Sequence, residues 1–346
     1  MEIIHLDHQI LKEEMAHAFS SKNVCEPAVH HVTSSMIQTS LRGVDSHGIH
    51  LFPHYCRAVD AGRINNNPPF TFTQTAPSVG YIDAIDAFGH HVGSDAINKA
   101  CDLAAETGMA AVSVRNSTHF GAAAYFALQA AERNMIGMAF TNADALVKAT
   151  GSTKAFFGTN PICFTTPLKN EEPFCLDMAT SLVSWNKIKN YRREDASIPD
   201  HWAFDAEGQP TTDPHIARSL APAGDYKGFG LGMMVDVFCA ILANGFISKD
   251  LMAMYDSPIE AKRKVGHFFM VIDPTKFLPL NTFVENMQDM VDRIRKMPTL
   301  EGQEVMAPGD PEKKTMAIRL ETGIPILPGI FNEFLEVSPN FKRAIK

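Results

Sequence analysis

The sequence predicts an α/β (α+β) fold in two domains, one a layered α/β domain and the other mainly helical. Three observations support this prediction. The chain has 346 residues, and single cores seldom grow beyond about 250–300 residues. About the first 70 residues carry apolar side chains at helical spacing. Residues 79–141 then alternate between β-prone apolar runs and alanine-rich helical stretches, a succession typical of an α/β layer.

The helical part at the start of the chain has clear limits. Residues 7–21 and 26–42 show helical periodicity, and residues 51–61 show it again after a turn at Ser46-His47-Gly48. Asn65-Asn66-Asn67-Pro68-Pro69 ends this part, because asparagine and proline favour turns and interrupt helices.

The expected α/β layer follows this break. Strands are predicted at residues 79–83, 109–115 and 135–141, with helices at 93–107 and 121–133. Gly108 is expected to cap the first of these helices, since glycine readily adopts the left-handed conformation that ends a helix.

The second half of the chain is less regular. Residues 189–215 are polar and rich in turn formers, which indicates a long surface excursion. A buried helix is predicted at residues 226–242, a strand at 266–272 and a helix at 280–296. We therefore expect a mainly helical domain of residues 1–75 with about 220–262 and 280–346. The α/β domain would comprise about residues 76–219 with 263–279.

Composition excludes several functional classes. The formal net charge is −8 and no Lys/Arg-rich run occurs, which argues against nucleic-acid or anionic-membrane partners. No apolar stretch approaches the roughly 18 residues of a membrane span, and residues 1–20 lack an apolar signal core. The six cysteines are scattered without a Cys-x-x-Cys pair, so we expect reduced thiols, no metal site and a cytoplasmic location.

Two segments place a histidine beside small hydroxyl residues and a glycine. They are Arg42-Gly43-Val44-Asp45-Ser46-His47-Gly48 and Asn116-Ser117-Thr118-His119-Phe120-Gly121. Such surroundings can hold an imidazole while leaving it open to a ligand, and histidine titrates near neutrality. His47 and His119 are therefore the candidate general acid/base residues, although most of the 14 histidines must be ordinary surface or structural ones.

No standard dinucleotide-binding fingerprint is present. Gly228-Phe229-Gly230-Leu231-Gly232-Met233 has methionine where the Gly-x-Gly-x-x-Gly turn requires its last glycine. It also opens a long apolar helix instead of following a clear strand, so close helix packing explains these glycines better. Any dinucleotide should therefore bind outside the Rossmann scheme.

Four other segments could bind an anion or a ribose, and the first is the polar turn Gly158-Thr159-Asn160-Pro161. Asp177-Met178-Ala179-Thr180-Ser181 ends an apolar strand and suits a helix N-terminus, where backbone N–H groups favour phosphate. Lys227-Gly228 offers a cation with local flexibility. The turn at Gly309-Asp310 could hold ribose hydroxyls through its carboxylate. Each also has an ordinary structural explanation: simple turn formation, a capped helix, a solvated lysine and a surface turn.

Taken together, these segments resemble the non-Rossmann malate/L-lactate dehydrogenase family, which includes ureidoglycolate and sulfolactate dehydrogenases, 2,3-diketogulonate reductase and piperideine-2-carboxylate reductase. The matching pieces occur in the family's order: Arg42 to Gly48, Asn116 to Gly121, Gly158 to Pro161, Asp177 to Ser181, residues 198–203, Pro210 to Pro214, Tyr226 to Leu231 and Pro308 to Glu312.

The resemblance implies a non-Rossmann NAD(P)-binding α/β domain beside a mainly helical domain. It also implies a homodimer that interconverts a 2-hydroxy acid and a 2-oxo acid with NAD or NADP, of which NAD is favoured. By motif, His47 and His119 become the acid/base candidates and Ser46 supports the substrate. The implied cofactor contacts are Asp177, Met178, Ala179, Lys227, Gly228, Gly309 and Asp310.

One position departs from the family pattern. Many members place an arginine shortly after Ser-His-Gly, where it can grip a substrate carboxylate with two hydrogen bonds. Here the sequence continues Ile49-His50-Leu51-Phe52. The carboxylate grip is then expected from His50, Arg57 or Arg42, or the substrate is unusual.

Two other functions remain open from the sequence alone. The enzyme could instead reduce a cyclic imine such as a piperideine- or pyrroline-2-carboxylate. This reaction needs the same hydride geometry but different proton-transferring groups. A non-catalytic ligand-binding relative is the other alternative, against which the presence of both histidines with Asp177 and Lys227 argues. The sequence does not decide whether His47 or His119 handles the proton.

Overall fold

The computed structural model describes residues 3–346. Its α-helices are α1 (His8–Ser21), α2 (Glu26–Leu41), α3 (Phe52–Asp60), α4 (Gly89–Thr107), α5 (Ala124–Glu132), α6 (Trp185–Arg193), α7 (Tyr226–Asp236), α8 (Leu280–Arg295), α9 (Asp310–Thr322) and α10 (Pro328–Val337). Its strands are β1 (Ile4–Leu6), β2 (Phe72–Ala76), β3 (Val79–Asp83), β4 (Met109–Ser117), β5 (Ile136–Thr141), β6 (Val147–Lys148), β7 (Ala155–Phe157), β8 (Ile162–Thr166), β9 (Phe174–Met178), β10 (Ala203–Phe204), β11 (Ser219–Leu220), β12 (Val265–Ile272) and β13 (Ile324–Ile326).

A seven-stranded sheet in the order β2-β3-β4-β12-β5-β8-β9 forms the centre of the molecule. Its β3–β4 pair is parallel, and its other neighbouring strands are antiparallel. Helices α4 and α5 contribute alanine and phenylalanine side chains to the core that packs against these strands. Gly108 ends α4 at φ +88°, as predicted, because an L side chain would strain that conformation. The predicted α/β class is confirmed.

The antiparallel pairing brings several chain segments to one edge of the sheet. The end of β4 at Ser117 lies opposite Val265 at the start of β12, and Thr141 at the end of β5 pairs with His267. Met178 at the end of β9 pairs with Ile162. Residues that follow β4, β5 and β9, or precede β12, therefore meet at this edge.

The N-terminal helices form a second core together with the end of the chain. Leu11, Met15 and Phe19 recur every four residues along α1 and are fully buried. The Asp7 side chain accepts hydrogen bonds from the first backbone N–H groups of α1, which accounts for where this helix starts. Strand β13 pairs with β1, so the C-terminal residues close the same core.

Three predictions differ from the structure. Residues 226–242 are not a uniformly buried helix: α7 ends at Asp236, continues as a π-helical turn over Val237–Ile241, and exposes one apolar face. Asp177 does not open a helix, because β9 extends to Met178 and the next helix begins at Trp185 with Ser184 as its cap. The polar stretch 189–215 is partly ordered, since it includes the end of α6 and all of β10.

The proposed domain division stays a prediction, and the packing qualifies it at two places. Val235 and Cys239 pack against Phe140 and Phe268 of the sheet, although they belong to a segment assigned to the helical domain. Val291 of α8 packs near the β8–β9 connection. None of the helices within residues 3–346 is long and apolar enough to cross a membrane.

Candidate active site

A cavity of about 1200 Å³ opens at the edge of the sheet where β4, β5 and β9 end. We call it the main cavity. Its wall combines residues that follow these strands with the turn at 44–51, helix α6, the loop at 253–256 and the start of α9. Ser46, His47 and His119 all line it. The two histidine segments, about 70 residues apart in sequence, are therefore brought together.

Close packing fixes the turn that carries His47. A Cβ atom on Gly48 would lie 2.1 Å from the Ser40 hydroxyl, so no side chain fits there. That hydroxyl accepts a 2.9 Å hydrogen bond from the Ile49 backbone N–H. The Ser46 hydroxyl lies 2.9 Å from His47 Nδ1, which orients the imidazole in the cavity wall.

The hydrogen bonds of His119 indicate its tautomer. Its Nδ1 accepts from the Gly121 backbone N–H at 3.3 Å and lies 2.7 Å from the Tyr55 hydroxyl. Because an N–H group donates to Nδ1, this nitrogen carries no proton in the neutral ring. Nε2 then carries the proton and can donate it in a hydrogen bond to a ligand.

The two imidazoles lie side by side, with ring centroids 5.7 Å apart. Burial lowers the pKa of His47, and burial followed by the charge of His47 holds the pKa of His119 well below its ordinary value. Two positive charges at this separation repel each other. Both rings are therefore neutral near pH 7, and one ring can accept a proton.

A buried histidine outside the cavity wall ties the supporting strands together. The two ring nitrogens of His267 in β12 lie 2.8 Å from the hydroxyls of Ser117 in β4 and Thr141 in β5. Its ring stacks on Phe120, the neighbour of His119, at a centroid distance of 4.6 Å. This arrangement fixes the strand ends from which the cavity residues 119–124 and 142–146 continue.

Arg263 is a buried cation that could bind a substrate carboxylate in place of the arginine that is missing after Ser-His-Gly. Its side chain is 3% exposed and lines the cavity. Within residues 3–346, its hydrogen bonds use Nε with Met252 O at 2.9 Å and Nη2 with Asp144 at 2.5 Å. Nη1 therefore remains for a ligand.

Of the residues predicted to contact a cofactor, Asp177, Met178, Ala179 and Gly309 line the cavity. Asp177 accepts a 2.9 Å hydrogen bond from the Ala124 backbone N–H at the start of α5. The Asp177 side chain is exposed toward the cavity, where the surrounding protein limits hydration of the carboxylate and raises its pKa to about 6. Gly309 has φ +96° and lets the start of α9 approach the Cys175 backbone closely.

The other predicted site residues are placed differently. Within residues 3–346, the cavity wall does not include Lys227, Gly228, Asp310, His50 or Arg57. The Asp310 carboxylate is held by Arg295 at 2.6 and 2.9 Å, so it does not present the free acceptor expected for a ribose. The exposed Arg57 side chain pairs with Glu333 instead of facing the cavity.

Arg42, Lys227 and His50 also have defined surroundings. Arg42 lines the cavity and pairs with Glu172 through Nη1 at 2.8 Å, while its buried Nη2 has no hydrogen-bond partner within residues 3–346. Lys227 is exposed at the start of α7, near the segment that follows Thr180. Burial lowers the pKa of His50, whose Nε2 has no hydrogen-bond partner within residues 3–346.

The sequence interpretation missed Tyr55, Asp144 and Arg263. The signal for Tyr55 was its place in the predicted helix 51–61, directly after the Ser46-His47-Gly48 turn. Asp144 comes shortly after a predicted strand. Arg263 stands in a basic triplet, Lys262-Arg263-Lys264, that looks like a solvated surface turn. Only the fold pairs these two residues, 119 positions apart.

The comparisons with known proteins agree with this arrangement. The family model described as malate/L-lactate dehydrogenase matches residues 6–334. The chain is 37% identical to a malate dehydrogenase of Pyrococcus abyssi over 320 residues, which cover 89% of this chain and 86% of that protein. It is 29% identical to an Escherichia coli ureidoglycolate dehydrogenase (NAD(+)), with 93% of each chain covered.

Solved structures show the same likeness. The structure of malate dehydrogenase from Pyrococcus horikoshii superposes with a TM-score of 0.88 at 33% identity and covers 98% of this chain and 96% of its own. The match therefore extends over both the sheet and the helical core. With the family model spanning nearly the whole sequence, the chain belongs to the malate/L-lactate dehydrogenase family of oxidoreductases.

Proposed function

We propose that this enzyme interconverts a 2-hydroxy acid and a 2-oxo acid with a nicotinamide dinucleotide, using a histidine as acid/base. The observation that carries the proposal is the placement of His47, His119 and the Arg263 guanidinium in one cavity wall. A carbonyl that gains a hydride needs a proton at oxygen, and a 2-oxo acid also needs a cation for its carboxylate.

The main cavity suits a dinucleotide. It is large, and its end near α9 combines the Asp177 carboxylate with a close approach of backbone at Gly309. Asp177, Met178, Ala179 and Gly309 would hold the cofactor there, and Lys227 and Gly228 stay as predicted contacts beside this end. When bound, the nicotinamide ring supplies or accepts the hydride.

NAD is favoured over NADP by the charges at the same end of the cavity. Asp177, Glu304 and Glu312 contribute carboxylates to the wall, and the charge of Glu312 helps to raise the pKa of Asp177. Two basic residues at this end are already paired, Arg42 with Glu172 and Lys314 with Glu304, which within residues 3–346 leaves Asp177 and Glu312 as the unpaired carboxylates of the three. A 2′-phosphate would meet repulsion here, whereas ribose hydroxyls can donate to the carboxylates.

The hydrogen bonds support different roles for the two histidines. With Nδ1 of His119 acting as an acceptor, its Nε2–H can polarise the substrate carbonyl while the ring stays neutral. His47 can donate Nδ1–H to Ser46 and use Nε2 to take the proton of the substrate hydroxyl. Arg263 Nη1 would bind the carboxylate, with the guanidinium held by Asp144.

A homodimer is the proposed assembly. An apolar strip along α7 and its extension to residue 246 leaves seven large side chains exposed by 37–65%. They are Tyr226, Leu231, Met233, Val237, Ile241, Leu242 and Phe246. Contiguous exposed patches of this kind mark interfaces, and a second copy of the chain would cover this strip.

The proposed function is tested by a panel of 2-oxo acids and a cyclic imine, Δ1-piperideine-2-carboxylate, each assayed with NADH and with NADPH. We expect turnover of at least one 2-oxo acid, a higher kcat/KM with NADH, and little reduction of the imine. His47→Ala should abolish turnover, and His119→Ala should lower it at least about 100-fold, while cofactor binding persists. Preferred reduction of the imine would support the alternative function, and turnover by His47→Ala within threefold of wild type would remove the acid/base role.

A further inference from the structure

Leu51 is an apolar side chain of the main-cavity wall, which His47 and His119 also line. His47, Leu51 and Tyr55 follow one another at intervals of four residues along two 3-10 turns and α3. Leu51 and Tyr55 lie on one helical face at this spacing, whereas Gly48, with ψ −136°, interrupts the helical backbone between His47 and Leu51. His47 and Leu51 line the cavity, and the Tyr55 hydroxyl reaches His119. Leu51 therefore stands midway in sequence between His47 and the residue that contacts His119, and it shares the cavity wall with both histidines.

Other apolar side chains extend this wall. Val44 precedes the histidine turn, and Met254 and Tyr255 enter from the loop before Arg263. Met254 packs against the same helical core that contains Leu51. Leu51 itself is only 5% exposed, so a charged group placed against it would lose hydration without gaining a partner.

The other cations of the cavity wall have contacts within the protein, although no carboxylate among residues 3–346 pairs with Lys189, Arg192 or Arg218. Arg192 donates to Pro214 O at 2.8 and 3.0 Å, and Arg218 donates to two carbonyls at 2.9 and 3.0 Å. The Lys189 ammonium sits 4.0 Å from the centre of the Tyr255 ring. Arg42 is paired with Glu172. Arg263 is the arginine of this wall whose charge acts on His119, so its Nη1 is the donor placed for the carboxylate beside the reacting carbon.

We infer that the substrate is a 2-oxo acid, or the matching 2-hydroxy acid, whose side chain is an uncharged hydrocarbon group packed against Leu51, Met254 and Val44. This inference rests on the proposed function and narrows it. Arg263 holds the single carboxylate, the histidines face the reacting oxygen, and the apolar wall receives the side chain. A second carboxylate or a sulfonate on the side chain is disfavoured.

The test compares three 2-oxo acids that differ in their side chains: 4-methyl-2-oxopentanoate with isobutyl, pyruvate with methyl and oxaloacetate with carboxymethyl. In the wild-type enzyme with saturating NADH, kcat/KM for 4-methyl-2-oxopentanoate should exceed that for oxaloacetate at least tenfold. Equal or better use of oxaloacetate would overturn the inference while leaving the proposed function intact. If none of the three is reduced, both proposals fail for these acids.

Variants at Leu51 give an independent result. Leu51→Arg should shift the kcat/KM ratio at least tenfold toward oxaloacetate, because it places a guanidinium on the apolar wall. Ile318→Arg adds the same charge at a side chain of α9 that is 60% exposed and outside the cavity, so it should leave the ratio unchanged. Leu51→Ala should reduce kcat/KM for 4-methyl-2-oxopentanoate more than for pyruvate. An unchanged ratio in Leu51→Arg that still binds NADH would contradict the inference.

Discussion

At the scale of single residues, hydrogen bonds distinguish the roles of two histidines that the sequence alone does not distinguish. His47 and His119 have similar sequence surroundings, yet His119 Nδ1 is committed to a backbone N–H and lies beside the Tyr55 hydroxyl, whereas His47 contacts a serine hydroxyl that can donate or accept. Burial lowers the pKa of both. Neutral imidazoles near pH 7 suit proton removal from a hydroxy acid, and reduction of the oxo acid should become faster as the pH falls.

Asp177 leads to a prediction about the pH dependence of cofactor binding. Its pKa is raised to about 6, and the ionised carboxylate is the form that accepts hydrogen bonds from ribose hydroxyls. NADH affinity should therefore be full above this pKa and fall as the pH drops through it, by about tenfold between pH 7 and pH 5. Fluorescence titration of NADH at several pH values measures this.

Two variants separate Asp177 from the other carboxylates of the wall. Asp177→Asn should remove most of the pH dependence and weaken binding at pH 7. Glu304→Gln, which changes another carboxylate of the cavity wall, should retain it. A wild-type affinity that stays constant from pH 5 to pH 7 would argue against Asp177 as a ribose ligand.

At the scale of secondary-structure elements, the site depends on how strand ends are held together. Three neighbouring strands, β4, β12 and β5, meet at His267, and each of β4 and β5 continues into cavity residues. Burial lowers the pKa of His267 to about 3, so its ring is neutral and acts as both donor and acceptor. We regard it as a positioning residue, since it contacts the strands and the Phe120 ring instead of lining the cavity.

His267→Phe tests this role. It keeps an aromatic ring against Phe120 but removes the imidazole from two buried hydroxyls. Thr141 keeps the acceptors Gly266 O at 3.0 Å and Asn142 O at 3.1 Å, whereas Ser117 keeps only Thr118 O at 3.4 Å. The free energy of unfolding should fall by about 1–3 kcal/mol, because the Ser117 hydroxyl loses its short hydrogen bond, and kcat should fall with it. Because a neutral ring outside the cavity does not exchange the reaction's proton, the pH profile of kcat should keep its midpoint.

Ser117→Ala and Thr141→Val serve as matched variants for this measurement, since each removes one hydroxyl and spares the ring. Their effects on unfolding should not add to that of His267→Phe, because all three changes disrupt one network. A shifted pH midpoint in His267→Phe would instead place His267 in the proton path.

At the scale of the whole molecule, the exposed strip on α7 predicts association. A helix that is apolar on all sides is normally buried, and α7 buries Val235 against the sheet while Met233 is 55% and Ile241 63% exposed. The double variant Ile241→Glu/Leu242→Glu should yield monomers where the wild-type chain forms dimers, as measured by light scattering after size-exclusion chromatography.

Ile318→Glu is the matched control for this prediction, because Ile318 is 60% exposed on α9, outside the strip. It should leave the dimer intact. A wild-type chain that is monomeric at micromolar concentration would contradict the proposed assembly, and a double variant that remains dimeric would place the interface elsewhere.

Local patterns in the sequence were sufficient for much of this description. Helical periodicity predicted α1 and α2, β-prone runs predicted β3, β5 and β12, and glycine chemistry predicted the end of α4. The spacing of the Ser-His-Gly and His-Phe-Gly motifs indicated the family and the two histidines. These features depend on residues close together in the chain, so the sequence states them directly.

Other features depended on contacts between distant residues. The order of the strands, the pairing of Arg263 with Asp144, the contact of Tyr55 with His119 and the engagement of Asp310 by Arg295 appear only when the chain is folded. The exposed face of α7 is also seen only in the folded structure, because the apolar composition of this helix predicts burial on all sides. Periodicity reports which side of an element is apolar, but packing decides which neighbour meets it and which cation is left free for a substrate.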